Sequence, residues 1–253
     1  MQDQFSLADQ VAVITGSARG IGKAAAASLA AHGASLILID RLSGQLHATA
    51  GEFRAAGTKV EAMVGDVTDD DIGQRLLATA RPFGPVSILV NAAGVIRRTD
   101  IAELTLRDLE WMWRINVSGT VTVTQQLLPQ MIERGYGKII NVGSLGSVRG
   151  LEQRTAYAAT KGAVAQYTMS LASEVGVHGI RVNTIAPGYV ATDMASSWMF
   201  GDQDRTERLL ERIPLGRFAE PVDLGGVFLF LAAPASDYVT GQTLVVDGGW
   251  TTT

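Results

Sequence analysis

Seven short apolar runs, rich in β-branched residues, recur along the chain at 11–15, 36–40, 60–64, 87–91, 138–142, 180–185 and 243–247. Longer stretches with helical spacing separate them. Most of the runs are apolar without alternation, as expected of parallel strands buried on both faces and not of a sheet with one wet face. The spacers are long enough for right-handed helical crossovers. The pattern predicts an α/β chain, a single-domain doubly wound Rossmann-like fold with a seven-stranded parallel sheet spanning residues 1–253. No repeat, low-complexity tract or Pro/Gly/Ser linker divides it. One segment breaks the rhythm: in 193–214, Trp198, Met199 and Phe200 precede a polar helical pattern at 202–212. Its place after a strand's carboxyl end predicts a small substrate lid. A surface hairpin packed on a neighbouring subunit is the alternative.

Chemistry enters first at the turn Thr15-Gly16-Ser17-Ala18-Arg19-Gly20-Ile21-Gly22, between the first apolar run and the alanine-rich stretch 23–31. The spacing departs from the G-x-G-x-x-G fingerprint, but the strand-to-helix context is that of a pyrophosphate cradle, where backbone N–H groups at a helix N-terminus meet negative charge. Gly16, Arg19, Gly20, Ile21 and Gly22 are therefore candidate cofactor contacts. Asp40 closes the second run eighteen residues after Gly22. A carboxylate there accepts from both adenosine ribose hydroxyls and repels an added phosphate, so NAD is favoured. NADP stays possible, because the guanidinium groups of Arg41 and Arg19 suit a 2′-phosphate; Arg41 alternatively stacks on adenine or lies in solvent. Asp66 and Val67, after the third run, are candidates for the adenine amino group and edge, with a helix cap before Thr68 as the other role for Asp66. Asn91-Ala92-Ala93-Gly94 ends the fourth run where the cofactor should pass, unless it merely terminates a strand.

Tyr157 and Lys161 stand four residues apart, thirteen residues after Ser144. On a helix such a pair shares one face at ~5–6 Å. A nearby cation favours phenolate over phenol, which lets the pair move a proton to or from an alcohol. Composition narrows the mechanism. Cysteine is absent and His32, His47 and His178 are scattered, so neither a disulfide nor a metal site is expected. Twenty-one basic against twenty-five acidic residues give a formal charge of −4 without a basic run, so no nucleic-acid partner is expected. No apolar stretch approaches the ~20 residues that span a bilayer. The N-terminus lacks a basic region followed by an apolar one. A cytoplasmic protein without membrane attachment is expected.

Taken in order, these motifs resemble the short-chain dehydrogenase/reductase family over essentially the whole chain: the glycine turn, Asn91-Ala92-Ala93-Gly94, Asn116 in Arg-Ile-Asn-Val, Ser144, Tyr157-Ala-Ala-Thr-Lys161, Pro187-Gly188 and Val246-Asp247-Gly248-Gly249. Several separated motifs in order are far more specific than one. The resemblance implies hydride transfer between NAD(P) and a secondary alcohol or ketone. It implies that Tyr157 is the catalytic acid/base, that Ser144 hydrogen-bonds the substrate oxygen, and that Lys161 holds the nicotinamide ribose while lowering the tyrosine pKa. Asn116 would support a water relay. Pro187, Gly188, Val190 and Thr192 would form the loop beside nicotinamide, with the Val190 backbone and the Thr192 hydroxyl offered to the carboxamide. The last helix-to-strand connection implies packing on another subunit and a homotetramer. Taken singly, Ser144 reads as a strand-end hydroxyl, Tyr157 as a half-buried helix residue, Lys161 as a solvated charge and Asn116 as a local backbone repair. Their combination carries the assignment.

Within the family, Leu36-Ile-Leu-Ile-Asp40-Arg41, Gly94-Val-Ile-Arg97-Arg98, Arg212-Ile-Pro-Leu-Gly-Arg217 and Val246-Asp-Gly-Gly-Trp250 are similar to the sugar-alcohol and sugar-acid group, such as galactitol, gluconate or deoxygluconate dehydrogenases. Arg97, Arg98, Arg149, Glu152, Gln153 and Arg154 offer donors and acceptors to a polyol, and arginine can pair with a carboxylate. Gln153 is taken with Ser144 and Tyr157 as a substrate contact; exposure on a loop is the bland alternative. Two rival functions remain. A 3-ketoacyl thioester reductase shares the fold and catalytic residues, although Ser173 stands where such relatives often carry a carrier-docking arginine. A non-catalytic NAD-sensing or scaffolding protein is disfavoured by the intact Ser144, Tyr157 and Lys161.

Overall fold

The computed structural model describes residues 3–253, apart from the side chain of Ser197. Among them all seven expected strands form: β1 (Val11–Thr15), β2 (Ser35–Asp40), β3 (Val60–Val64), β4 (Ile88–Asn91), β5 (Gly137–Val142), β6 (Ile180–Pro187) and β7 (Thr243–Val246). They lie in one parallel sheet ordered β3-β2-β1-β4-β5-β6-β7. The helices are α1 (Gly20–Ala31), α2 (Ser43–Ala55), α3 (Ile72–Ala80), α4 (Leu106–Trp113), α5 (Thr120–Arg134), α6 (Thr155–Val175), α7 (Asp193–Phe200), α8 (Gln203–Glu211) and α9 (Gly225–Ala232). None of the helices is long and apolar enough to cross a membrane among the described residues.

Successive strand residues point to opposite faces, and both faces here are covered. Ala12, Ile14, Leu36, Leu38 and Ile140 pack with Ala25 and Leu29 of α1 and Phe228 of α9. Val11, Val13, Ile37, Ile39 and Ile139 pack on the other side with Leu76 of α3, Leu127 of α5 and Leu171 of α6. This is why the runs show no alternation. Truncating one such side chain, as in Ile14→Ala, should cost about 2–5 kcal/mol. A third cluster, Leu145, Met199, Ile213, Phe218 and Trp250, fastens the 193–214 segment to the C-terminal stretch.

β1 pairs with β2 on one side and β4 on the other. The strand order reverses there, which opens a crevice at the carboxyl ends. Beside it a polar chain runs sideways through the sheet. Asn91 Nδ2 donates to Asn141 Oδ1 (2.9 Å) and Thr124 Oγ1 (3.1 Å), Asn141 Nδ2 to Thr168 Oγ1 (2.9 Å), and Thr184 Oγ1 to Thr168 Oγ1 (2.8 Å). Asn91, Asn141 and Thr184 are register partners on β4, β5 and β6, and all are buried.

Two local features were not anticipated. Between α4 and α5 the chain widens into a π-helical turn, Arg114–Gly119, which carries Asn116. Such turns release backbone and side chain from the ordinary helical ladder. The bulky residues before the polar pattern form a helix of their own, α7. The Asp202 side chain then caps α8 by accepting from Arg205 N (2.8 Å).

Candidate active site

A cavity of about 330 Å³ opens at the strands' carboxyl ends. Its wall takes Gly16, Arg19, Gly20, Ile21 and Gly22 from the glycine turn, Asp40 and Arg41 from the end of β2, Asp66 and Val67 after β3, and Ala92, Ala93 and Gly94 after β4. Ser144, Tyr157, Lys161, Pro187, Gly188, Val190 and Thr192 complete it. Elements far apart in sequence thus meet around one space.

The glycine turn is shaped by contact between backbones. Gly16 has φ +65°, and a Cβ there would lie 2.7 Å from Ala93 N; a Cβ on Gly22 would lie 2.2 Å from Gly16 O. Thr15 Oγ1 ties the two turns together by accepting from Ala92 N and Ala93 N, each at 3.1 Å. The only signal for Thr15 in the sequence is its place at the strand end. The N-terminus of α1 has neither a side-chain cap bond nor an acidic residue in its first turn. Its N–H groups are left for an anion, so the cradle fits a pyrophosphate. The Asp40 carboxylate is held in place by Ala18 N on Oδ2 and Leu42 N on Oδ1, both at 3.0 Å. Each carboxylate oxygen has further acceptor capacity for a ribose hydroxyl. Arg41 is exposed at the wall, while Arg19 Nη1 pairs with Asp193 of α7 at 2.7 Å. Asp66 Oδ1 accepts from Thr68 N (3.0 Å) and Thr68 Oγ1 (2.8 Å), a local turn that precedes α3 and does not cap it.

Ser144 sits at the end of β5 and starts the short helical turn Leu145–Ser147, its Oγ accepting from Gly146 N at 3.2 Å. Tyr157 and Lys161 share a face of α6. The Lys161 ammonium, 5.9 Å from the Tyr157 ring centroid, donates to Val142 O at 2.7 Å. Ser147 Oγ, missed in the sequence, donates to Lys161 O at 2.8 Å. Burial lowers the Lys161 pKa to about 8. Burial likewise raises the Tyr157 phenol, while the Ser144 hydroxyl and the charges of Arg154 and Arg98 pull it back down. The dry pocket penalises both charged forms, and the charges of Arg154 and Arg98 are a source of cationic field at the phenol that the Tyr157–Lys161 spacing does not reveal.

Three expected residues do not line the cavity. Asn91 is buried and spends its amide on Asn141 and Thr124. Asn116 stands behind Gly94: its Oδ1 accepts from Val95 N (2.8 Å), and its Nδ2 donates to Val95 O (3.0 Å) and Thr160 Oγ1 (3.0 Å). A Cβ on Gly94 would lie 3.3 Å from Asn116 Oδ1 and 3.5 Å from Lys161 Nζ, so glycine keeps these groups close. Gln153 has a left-handed backbone (φ 56°), and its amide donates to Asp100 Oδ1 at 3.2 Å. That turn hands the inward position to Arg154. Of the six polar residues considered for substrate, Arg98 and Arg154 reach the wall. Arg97 pairs with Asp108 (3.2 Å), Arg149 donates to Thr251 O (3.2 Å), and Glu152 is exposed. Tyr189, Met194 and Met199 also form the wall, the last two from α7.

A doubly wound sheet with a dinucleotide cradle beside a serine, tyrosine and lysine defines the class, a nicotinamide-dependent oxidoreductase. Residues 16–251 match the family model described as enoyl-(acyl carrier protein) reductase. The chain is 39% identical to gluconate 5-dehydrogenase of Gluconobacter oxydans, covering 98% of this chain and 97% of that one. It is 41% identical to galactitol 2-dehydrogenase (L-tagatose-forming) of Cereibacter sphaeroides, over 98% and 97%. The crystal structure of a gluconate 5-dehydrogenase from Burkholderia cenocepacia, in complex with NADP and tartrate, superposes with a TM-score of 0.95 at 37% identity, covering 99% of this chain and 98% of that one. The chain belongs to the short-chain dehydrogenase/reductase family. It is an NAD(P)-dependent oxidoreductase acting on CH–OH groups.

Proposed function

We propose that this chain moves a hydride between a nicotinamide dinucleotide and a secondary alcohol of a polyol, sugar or sugar acid. The observation that carries the reading is one cavity holding both the glycine cradle with Asp40 and the group Ser144, Tyr157 and Lys161. Bound nicotinamide supplies the hydride acceptor on carbon. Tyr157 takes the proton from the substrate hydroxyl, and Ser144 hydrogen-bonds the same oxygen. Lys161, buried and lowered to about 8, meets the nicotinamide ribose and adds positive field. Asn116 holds the Val95 and Thr160 side of this group in place and supports proton relay through water. Arg98 and Arg154 favour the phenolate by their charge.

NAD is the proposed preferred cofactor, with NADP a weaker one. Asp40 at the adenosine end supports this, because its charge opposes a 2′-phosphate; Arg41 at the wall is what allows NADP. Asp66 and Val67 take the adenine edge, while Pro187, Gly188, Val190 and Thr192 face the carboxamide. The chain works as one domain, with 193–214 as its substrate lid; the Arg19–Asp193 pair and the wall positions of Met194 and Met199 support the lid. Exposed Trp111 and Trp113 on α4 and Tyr238 near β7 support a homotetramer, and the absence of cysteine suits the cytoplasm.

The family model's description favours a second reading, reduction of an acyl thioester. The two cavity arginines favour the sugar-type substrate. Turnover of D-gluconate, galactitol and acetoacetyl thioester with NAD and NADP, followed by the absorbance of reduced nicotinamide, decides between them. Gluconate or galactitol should turn over; turnover of the thioester alone would reverse the assignment.

A further inference from the structure

Two arginines without an acid to answer them stand at the cavity wall near Tyr157. Arg154 is only 8% exposed, and its Nε is enclosed without a hydrogen-bond partner; the Nε of Arg98 is enclosed and unpartnered too. Every ion pair among the described residues uses other cations. The two are close enough that the Arg154 charge, after burial, lowers the Arg98 pKa. One buried and one half-buried like charge with no counter-ion form an unfavourable arrangement that needs compensation.

Part of the compensation is aromatic. The Arg154 guanidinium lies 4.4 Å from the Trp198 ring centroid and 5.3 Å from that of Tyr189, and Arg98 lies 4.8 Å from Trp198. Trp198 and Tyr189 are themselves stacked, with centroids 6.2 Å apart. From the α8 side, Arg205 reaches the same indole at 5.0 Å and donates to Trp198 O at 2.9 Å. An aromatic face attracts a cation but accepts none of the in-plane N–H groups of a guanidinium. What remains open is a pair of planar donor forks asking for a compact anion with two acceptor oxygens. That is the chemistry of a carboxylate.

Resting on the reading of the chain as a polyhydroxy-alcohol dehydrogenase, we propose that Arg98 and Arg154 jointly receive the carboxylate of an anionic polyhydroxy substrate, and that this carboxylate fixes Trp198 and α7 over the cavity. A neutral polyol of the same length leaves both forks unpaired, so the site discriminates against it. The carboxylate also offsets the repulsion between the two guanidiniums, which already lie on the indole of α7, and so substrate charge holds α7 in place.

The probes are D-gluconate and galactitol, six-carbon chains of which only the first carries a terminal carboxylate, with D-glucitol as the neutral chain of gluconate's own configuration. Native protein with NAD should prefer gluconate in kcat/KM. Arg154→Met and Arg98→Met should each reduce the gluconate-to-galactitol ratio at least ~30-fold, chiefly through KM, while Arg154→Lys keeps part of it by retaining charge without the fork. A second readout does not need turnover. Gluconate titrated into the NAD-bound Tyr157→Phe protein should change tryptophan fluorescence saturably. Adding Arg154→Met or Trp198→Leu to that protein should abolish the change. If native protein oxidises neither probe yet gluconate still gives the Arg154-dependent change, the dehydrogenase reading falls and the carboxylate site stands. If folded Arg154→Met protein, verified by its melting temperature, binds gluconate as tightly as native, or loses both probes equally, the carboxylate site is overturned. Absence of both turnover and the fluorescence change overturns both, and inorganic phosphate competing as strongly as gluconate also counts against carboxylate recognition.

Discussion

The cradle at Gly16–Gly22 and the wall at Arg98, Arg154 and Tyr189, with Trp198 stacked against these three, belong to one site but are made of different material. The cradle is backbone against backbone, fixed by Gly16 and Gly22, which leave no room for a methyl group, with one carboxylate pinned by two amides. The wall is long side chains from four separate segments, held by charge on aromatic faces. Backbone contacts fail outright when altered, whereas side-chain stacks can be retuned one residue at a time. A fold of this design can keep its cofactor site while exchanging its substrates.

The sharpest blow should come between the two regions, at the proposed proton-transfer group. Tyr157→Phe should lower turnover by at least ~10²-fold while leaving NAD binding near native, because only the phenol oxygen is lost. Single-turnover kinetics and calorimetric NAD titration measure the two halves of that statement; wild-type-like turnover in the folded variant would remove Tyr157 from the chemistry. Gly22→Ala tests the cradle. With the added methyl 2.2 Å from Gly16 O, the turn must shift, and we expect about 1–3 kcal/mol of lost stability by urea denaturation together with weaker NAD binding. An unchanged variant would mean that the turn is looser than its contacts imply.

Asp40→Ala should move the NAD/NADP ratio of kcat/KM toward NADP by about tenfold, roughly 1.4 kcal/mol, when both are measured at one ionic strength. A native preference for NADP, or an unchanged ratio, would hand the selection to Arg41 and Arg19. The smallest effect is a pH dependence. Lys161 titrates at about 8 in the folded chain, below its unfolded value of ~10.4. Between those values the unfolded chain binds more protons, so stability rises with pH; the burial penalty is fully present below about pH 8 and relieved above ~10.4. Raising the pH from about 8 to about 9 should therefore recover about 1 kcal/mol, and Lys161→Met should flatten that rise. An equal rise in the variant would assign it to other groups.

The same contrast governs what could be read without coordinates. Strands such as Val11–Thr15 were legible because both faces are dry, and the glycine turn because its backbone demand is written in residue identity. Side-chain placement was not. Gln153 looked as eligible as Arg154, and a single left-handed residue decided between them. The spacing of Tyr157 and Lys161 gave their shared face but not the ammonium's turn toward Val142 O. The π-helical turn that sets Asn116 behind Gly94, and the indole of Trp198 that gathers arginines from three segments, have no local pattern to announce them.

Asn91 stands outside the cavity, yet its chain of bonds to Asn141, Thr168 and Thr184 bears on the rim residues that follow β4, β5 and β6. Apolar strands tolerate sliding past one another, since leucine meets isoleucine as well as valine. A one-residue slip of β5 would turn the Asn141 amide to the opposite face and strand its neighbours in a dry core, at about 1–3 kcal/mol for each orphaned group. The amides therefore act as a key cut for a single notch. They fix the register of β4, β5 and β6, whose ends lead into Ala92, Ser144 and Gly188 at the cavity wall.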